Sequence, residues 1–377
     1  MILKSLFFFR FTVCITILLL ICANCSPSVQ QFSIIFSADL DGNQDLYQIS
    51  SQDFHQLKKI TNTPFETEGG IKISADGKKI LYSVYGDKLT WFTYLHNLES
   101  REVTSLQNPA SRLHSIQSLA WINGENSAVV SEQQQRKVYI VNLDTNIISE
   151  FDIPRRNSLS NIIDLEFSFD GKKILYIDYN KDSPLPSVGI PFLYDLETKE
   201  GKPLIENDHS VCNDPKWSPL GNQALLNCFM YTDNGEIDNH VYLISISEDN
   251  PVDISEIADL SCGAQFWWGT LAKYAWSPDG RQFVTSYCEM YEGAHTLYVY
   301  NSDGSLERSL KGIESDESDV YITELAWTPD GNRLIFIAGE SEDTLDIYMV
   351  NIDGSNKQRI TNVSSNYEGL SVFTPGS

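Results

Sequence analysis

The chain has 377 residues, 42% of them hydrophobic and 11% aromatic, which is enough apolar content for a packed core and excludes a disordered chain. Its 51 acidic residues outnumber 27 basic ones, giving a formal charge of −24. That balance excludes a nucleic-acid-binding surface, because phosphate contacts need clustered Lys and Arg, and reads most simply as a solvated acidic face.

The first segment, 1–25, reads as a leader. Lys4 and Arg10 precede or open the uncharged run FTVCITILLLICA (11–23), which small residues follow, the pattern of a secretory signal peptide. The run is short for a membrane span, which needs about 20 apolar residues; adding LFFF (6–9) leaves an uncleaved anchor open. Cys25 stands where a bacterial lipoprotein carries its lipidated cysteine, ahead of the tether SPSVQQ (26–31). Cys22, Ala23 and Asn24 depart from the lipobox pattern of Leu first and Gly or Ala third. Lipidation at Cys25 and plain cleavage near Ala23 or Cys25 therefore both stand. Either way the chain is expected to be exported, to the periplasm or the cell surface.

From residue 32 to 377 one pattern returns. ISADGKKILYS, EFSFDGKKILY, KWSPLGNQALL, AWSPDGRQFV and AWTPDGNRLIF centre on Gly77, Gly171, Gly221, Gly280 and Gly331, with a degenerate copy around Gly124 and a last one at Gly376. Successive glycines are 47, 47, 50, 59, 51 and 45 residues apart, the length of one four-stranded propeller blade. In each copy an apolar strand enters a tight turn and a second strand leaves it. A third strand rich in Tyr and Val follows, such as KVYIVNL (137–143) or DIYMVNI (346–352), then a short outer strand such as QRITN (358–362). Within the turn, Pro presets φ, Asp bonds nearby backbone and Gly accepts positive φ. The aromatic before it (Trp121, Phe167, Trp217, Trp276, Trp327, Phe373) reads as a wedge between blades.

The two ends complement each other. Residues 33–62 carry strands two to four of a blade without a first, and EGLSVFTPG (368–376) is a first strand with nothing after it. Together they form a shared blade that leaves no bare sheet edge. The expected fold is all-β: a single seven-bladed β-propeller of four-stranded antiparallel blades, or six or eight blades if the copy near Gly124 is misread.

The motifs W-S-P-D-G, I-x-F and I-Y, best kept in AWSPDGRQFV, AWTPDGNRLIFIA and RITN, resemble the TolB-type, WD40-like β-propeller repeat of exported bacterial proteins. TolB itself carries an α/β domain before its propeller, and prolyl-oligopeptidase relatives pair a similar propeller with a hydrolase domain. Here the strands begin within ten residues of the leader, and no G-x-S-x-G nucleophile elbow occurs. The resemblance thus implies a stand-alone periplasmic or surface propeller. It specifies fold far more than function.

Four cysteines follow the leader. Cys212 and Cys228 lie symmetrically about residue 220, inside the turn SPLG, so a hairpin there brings them face to face; Cys262 and Cys288 then pair by elimination. Four buried thiols are the alternative reading. The long loops cluster in consecutive blades, four to six above all: 179–192, 231–239, 259–272, 287–295 and 312–321. Their rim gathers Phe266, Trp267, Trp268, Tyr231 and Tyr291 with carboxylates such as Glu236 and Glu292, a surface suited to a protein, peptide or glycan ligand. The opposite reading is a loop folded over its own aromatics.

Catalytic signals are thin, and no cofactor motif is present. His240 and His295 open third strands in neighbouring blades, beside Asp238 and Glu292, and are the weak candidates for a metal; two independent surface histidines are the simpler reading. A lyase of the oligogalacturonate type needs such a cluster. DLDGNQD (39–45) has its glycine at the fourth place, against the sixth of an EF-hand loop, and reads as a turn; ESDESD (314–319) reads as a solvated loop. The function expected is non-catalytic binding or scaffolding at the loop-rich face, by a monomer with no contact to nucleic acid and none to membrane beyond a lipid anchor. A polysaccharide-acting hydrolase or lyase is the alternative.

Overall fold

The structure is a computed structural model that describes residues 30–62, 70–86, 90–106, 116–122, 126–132, 137–145, 147–155, 160–180, 188–205, 210–231, 237–246, 251–254, 273–288, 295–310, 321–341 and 344–375. Within the unit Phe32–Ser377, the described strands fall into seven antiparallel groups of four. Blade 1 comprises Lys72–Ile73, Lys79–Gly86, Thr90–Asn97 and Val103–Ser105, and blade 2 Ile116–Trp121, Ser127–Glu132, Lys137–Asn142 and Ile148–Phe151. Blade 3 is Asn161–Phe167, Lys173–Asn180, Val188–Asp195 and Gly201–Pro203; blade 4 is Ser210–Trp217, Gln223–Tyr231, Ile237–Ser245 and Val252–Asp253. Blade 5 is Tyr274–Trp276, Gln282–Cys288, His295–Asn301 and Leu306–Leu310; blade 6 is Tyr321–Trp327, Arg333–Gly339, Leu345–Asn351 and Gln358–Arg359. The degenerate copy around Gly124 is thus a full blade.

Blade 7 is built from both ends of the chain. Glu368–Phe373 pairs antiparallel with Ser33–Asp39, with Ser33 opposite Phe373 and Ile35 opposite Ser371. Gln44–Ser50 and Asp53–Lys59 complete it. Each interface between neighbouring blades holds its own apolar cluster. Ile335 and Ile347 of blade 6 meet Ile34 and Phe36 of blade 7. Ile35 and Phe373 of blade 7 then meet Ile80 and Tyr82 of blade 1, so the layers close the ring. Burial of these faces, worth roughly 25 cal/mol per Å², is what the alternating strand pattern supplies.

The tight turns follow their predicted chemistry. Ser168 Oγ donates to Asp170 Oδ1 at 2.6 Å and accepts from the Lys173 N–H at 3.0 Å, while Gly171 takes φ 70°. The same bonds recur at Ser277 and Asp279, and at Thr328 and Asp330. Each Ser or Thr hydroxyl contributes to holding its aspartate below the usual carboxylate pKa. The DLDGNQD stretch is likewise a turn: the Gly42 N–H donates to Asp39 at 2.8 Å, and Lys59 takes up Asp41 at 2.7 Å and Asp45 at 2.8 Å.

Two features tie blades 3 and 4 more closely than a repeat requires. A parallel bridge joins Gly189 to Val211, turning the two sheets into one. A Cβ at Gly189 would lie 3.2 Å from the Cys212 carbonyl oxygen and 3.1 Å from Ile177, so the approach depends on glycine. Beside it Cys212 and Cys228 stand opposite each other in register and form a disulfide. That bond fits an exported chain, since disulfides persist in oxidising compartments.

Candidate functional site

The wedge aromatics organise the centre of the ring. Each wedge tryptophan donates its indole N–H to a main-chain carbonyl of the preceding blade: Trp121 to Lys72 at 3.0 Å, Trp217 to Glu166 at 3.2 Å, Trp276 to Lys216 at 3.0 Å and Trp327 to Ala275 at 3.0 Å. In every case the acceptor is the residue just before the wedge position of that preceding blade. With the wedge turned into the interface, strand alternation aims the residues one and three places before it at the axis. Bulges in the inner strands of blades 3, 4 and 6 adjust this aim, and at two of them Asp164 and Asp214 both take φ 48°. Pro215 sits within the second of these bulges, where no ladder donor is required.

These positions line a central cavity of about 1360 Å³. Its charged residues are Lys72 of blade 1, Asp164 and Glu166 of blade 3, Asp214 and Lys216 of blade 4, Lys273 of blade 5 and Glu324 of blade 6. Lys216 lies 2.7 Å from Asp214. Lys72 of blade 1 reaches past blade 2 to Glu166 of blade 3 at 3.4 Å. The Asp214 N–H donates to Asp164 Oδ2 at 3.2 Å, and the Tyr274 hydroxyl donates to the Asp214 carbonyl at 2.5 Å.

Solvent reaches these groups through the channel, yet protein surrounds them, and their titration diverges accordingly. Burial raises the pKa of Asp164 and outweighs the Asp214 N–H that it accepts. Burial also raises Glu324, despite Lys273. Asp214 feels the same burial, but the charge of and hydrogen bond from Lys216 bring it below the ordinary value. Burial would lower Lys216, yet Asp214 and Glu166 hold it above the normal lysine range. Two carboxylates in equivalent places of adjacent blades thus differ, one with its pKa raised and the other with its pKa lowered.

Asn213 and Asn227 are cross-strand partners that also line the cavity. Asn227 is 1% exposed, and neither its Nδ2 nor its Oδ1 has a hydrogen-bond partner among the described residues. At the mouth, the second positions of the tight turns present Phe169, Pro219, Pro278 and Pro329. Phe169 is 64% exposed and stands where the copies at Gly221, Gly280 and Gly331 carry proline.

The residues expected from the sequence fall differently. Glu236, Phe266, Trp267, Trp268, Tyr291, Glu292, Cys25 and Cys262 lie outside the described residues, as does ESDESD. Tyr231 ends the strand Gln223–Tyr231 opposite Ile237, and Cys288 pairs in register with His295; the side chains of these three lie outside the description. His240 directs Nδ1 to Asp253 on the outer strand at 2.6 Å and stacks on Tyr242. Among the described residues, no group of three or more His, Cys, Asp or Glu is arranged to hold a metal ion. Sequence reasoning did not single out the charged channel; its trace is the ionic residues one or three places before the wedge in IIDLEF, CNDPKW, AKYAW and ITELAW, which taken strand by strand look like a solvent face.

No protein-family model matches the chain, and no curated protein matches it in sequence. Solved structures do resemble it. An oligogalacturonate lyase from Vibrio parahaemolyticus superposes with a TM-score of 0.58 at 14% identity, over 84% of this chain and 86% of that one. A manganese complex of an oligogalacturonate lyase gives 0.60 at 14% identity, over 88% and 85%. TolB from Acinetobacter baumannii gives 0.52 at 11% identity, over 92% and 67%. At such identities the likeness is one of fold, and the fold is a TolB-like β-propeller.

Proposed function

We propose that this chain is a non-catalytic binding propeller of the bacterial envelope or the secreted fraction, and that a peptide segment or glycan occupies its central channel against blades 3 to 6. The observation that carries this reading is Asn227, a residue of the channel wall whose buried side-chain amide has its donor and acceptor both unpartnered among the described residues. Buried amides in folded proteins nearly always have partners, so an unpaired one in a cavity wall supports a ligand that completes the bonding after a side-chain rotation. Lysine donors and carboxylate acceptors around it suit a neutral, hydrogen-bonding chain better than a bare ion.

The test is Asn227→Leu, which keeps the side chain's size and removes its hydrogen bonding. Peptide libraries and glycan arrays supply the probe, and calorimetry on the strongest hit supplies the affinity. The variant is expected to bind at least about tenfold more weakly while unfolding no earlier than the parent, because a buried unpaired amide is itself a cost. Unchanged affinity would refute the placement.

One observation favours an enzymatic reading as the second choice. Burial raises the pKa of Asp164, while Lys216 brings that of Asp214 below the ordinary value against its burial, a divergence of the kind found in acid–base pairs that act on glycosides. Turnover of a glycan panel, lost in Asp164→Asn, would establish it.

A further inference from the structure

A second cavity, of about 560 Å³, opens between the outer strands of blades 7 and 1. Its size lies within the range of about 300–1,000 Å³ usual for small-molecule sites. What distinguishes it is charge. In a chain of 51 acidic and 27 basic residues, its lining among the described residues includes Lys58, Lys59 and Arg101 and no Asp or Glu.

The three cations are not equivalent. Lys59 is held by Asp41 and Asp45 and is neutralised within the fold. Lys58 makes one long contact, 3.5 Å to Gln48, and is exposed. Arg101 sits exposed in the turn that follows the third strand of blade 1, where its main chain takes φ 61°. Among the described residues its guanidinium has neither a hydrogen bond nor an ion pair. Two cationic groups thus stand over a cavity whose described walls supply no carboxylate. Across a surface this acidic, an anion is attracted only where local cations outweigh the general field within about 8–10 Å.

The walls add shape. Tyr82 and Tyr94 stack with centroids 5.6 Å apart, and Tyr94, half-buried, lines the cavity alongside Val84 and Leu98. His96, on the same strand face as Tyr94, is 5% exposed, and its Nδ1 has no hydrogen-bond partner. Burial and the neighbouring Lys58 hold its imidazole toward the neutral form, which leaves one donor and one acceptor for a polar substituent.

We propose that this inter-blade cavity is a binding site for a small organic anion, a carboxylate or phosphate carried on a sugar-sized ring. Lys58 and Arg101 bind the anionic group, Tyr94 packs against the ring, and His96 bonds a hydroxyl. The site is separate from the central channel and does not depend on the channel's being occupied.

Calorimetry on the mature chain at low salt, with glucuronate, glucose 6-phosphate, glucose and inorganic phosphate as four separate probes, tests it. Saturable binding is expected for glucuronate or glucose 6-phosphate, and the preferred one identifies the anionic group. Glucose and inorganic phosphate are expected to bind at least about tenfold more weakly, since each lacks half of the recognised chemistry. The double substitution Lys58→Gln with Arg101→Gln should weaken the preferred anion at least about tenfold. Both positions are exposed, so its thermal midpoint should stay at that of the parent. Absence of saturable binding by either ring anion overturns the proposal, and so does unchanged affinity in the double variant. Inorganic phosphate binding as well as glucose 6-phosphate overturns it too, leaving an adventitious ion only. Asn227→Leu, which disables the channel, should leave this binding intact.

Discussion

Replacing Trp327 by Phe isolates the hydrogen bond between blades from the area that the wedge buries. Trp327 is 6% exposed, and its indole N–H meets the Ala275 carbonyl at 3.0 Å. Phenylalanine keeps an aromatic ring in the interface but loses the donor and the pyrrole atoms. The lost bond contributes about 1 kcal/mol net, and a carbonyl left without its partner costs about 1–3 kcal/mol unless water reaches it. The channel beside Ala275 admits water, which takes up the freed carbonyl, so a total near 1 kcal/mol is expected. Trp327→Ala, which also opens a cavity, should cost about 3–5 kcal/mol. Urea unfolding followed by far-ultraviolet circular dichroism measures both, provided the m-values agree with the parent. The same bond geometry at Trp121, Trp217 and Trp276 predicts similar losses for each Trp→Phe change. Losses below about 0.5 kcal/mol at all four would refute the claim that these bonds hold neighbouring blades together and leave area alone as the cause.

Other perturbations follow from single contacts. Gly77 has φ 67°, and a Cβ there would lie 2.7 Å from the Thr374 carbonyl oxygen, so Gly77→Ala should cost about 2 kcal/mol or more in the denaturant midpoint. Gly42→Ala, with φ 99° and open space, should cost nearer 1 kcal/mol, and an equal loss at both sites would contradict the steric account. Removing the Cys212–Cys228 bond, which closes a 16-residue separation, should lower stability by about 3 kcal/mol, read from urea midpoints with and without reductant. Asp164 has a raised folded pKa, so its contribution is fully present below the unfolded value and is lost as pH rises through the folded one. Asp164→Asn should therefore stabilise at pH 7 and change little near pH 3; Asn also tolerates φ 48°. Asp195 runs the other way: its hydrogen bond from Lys173 brings it down to about 2, so it stabilises above about pH 4 and its contribution fades toward pH 2. In Asp195→Asn that stretch of the pH–stability curve should flatten.

Much of this protein was written locally. The Ser-x-Asp-Gly turn, strand alternation and the spacing of glycines each depend on residues close in the chain, and they announced blades, wedges and a ring closed by its own ends. The Cys212–Cys228 pairing was equally legible, because a two-strand hairpin sets its own register. The channel was not. Each inner strand shows a few charged residues that look like an ordinary solvent face, and nothing local reveals that strands from five blades turn those faces toward one axis. Only closure of the ring places Lys72 against Glu166, 94 residues away, and only packing of blade 3 on blade 4 brings the Asp214 N–H to Asp164, whose pKa burial raises. The basic cavity arises in the same way, from the outer strand of blade 7 meeting blade 1. Short-range backbone and side-chain preferences determined the repeat; the long-range packing of seven copies decided which charges face water and which face one another.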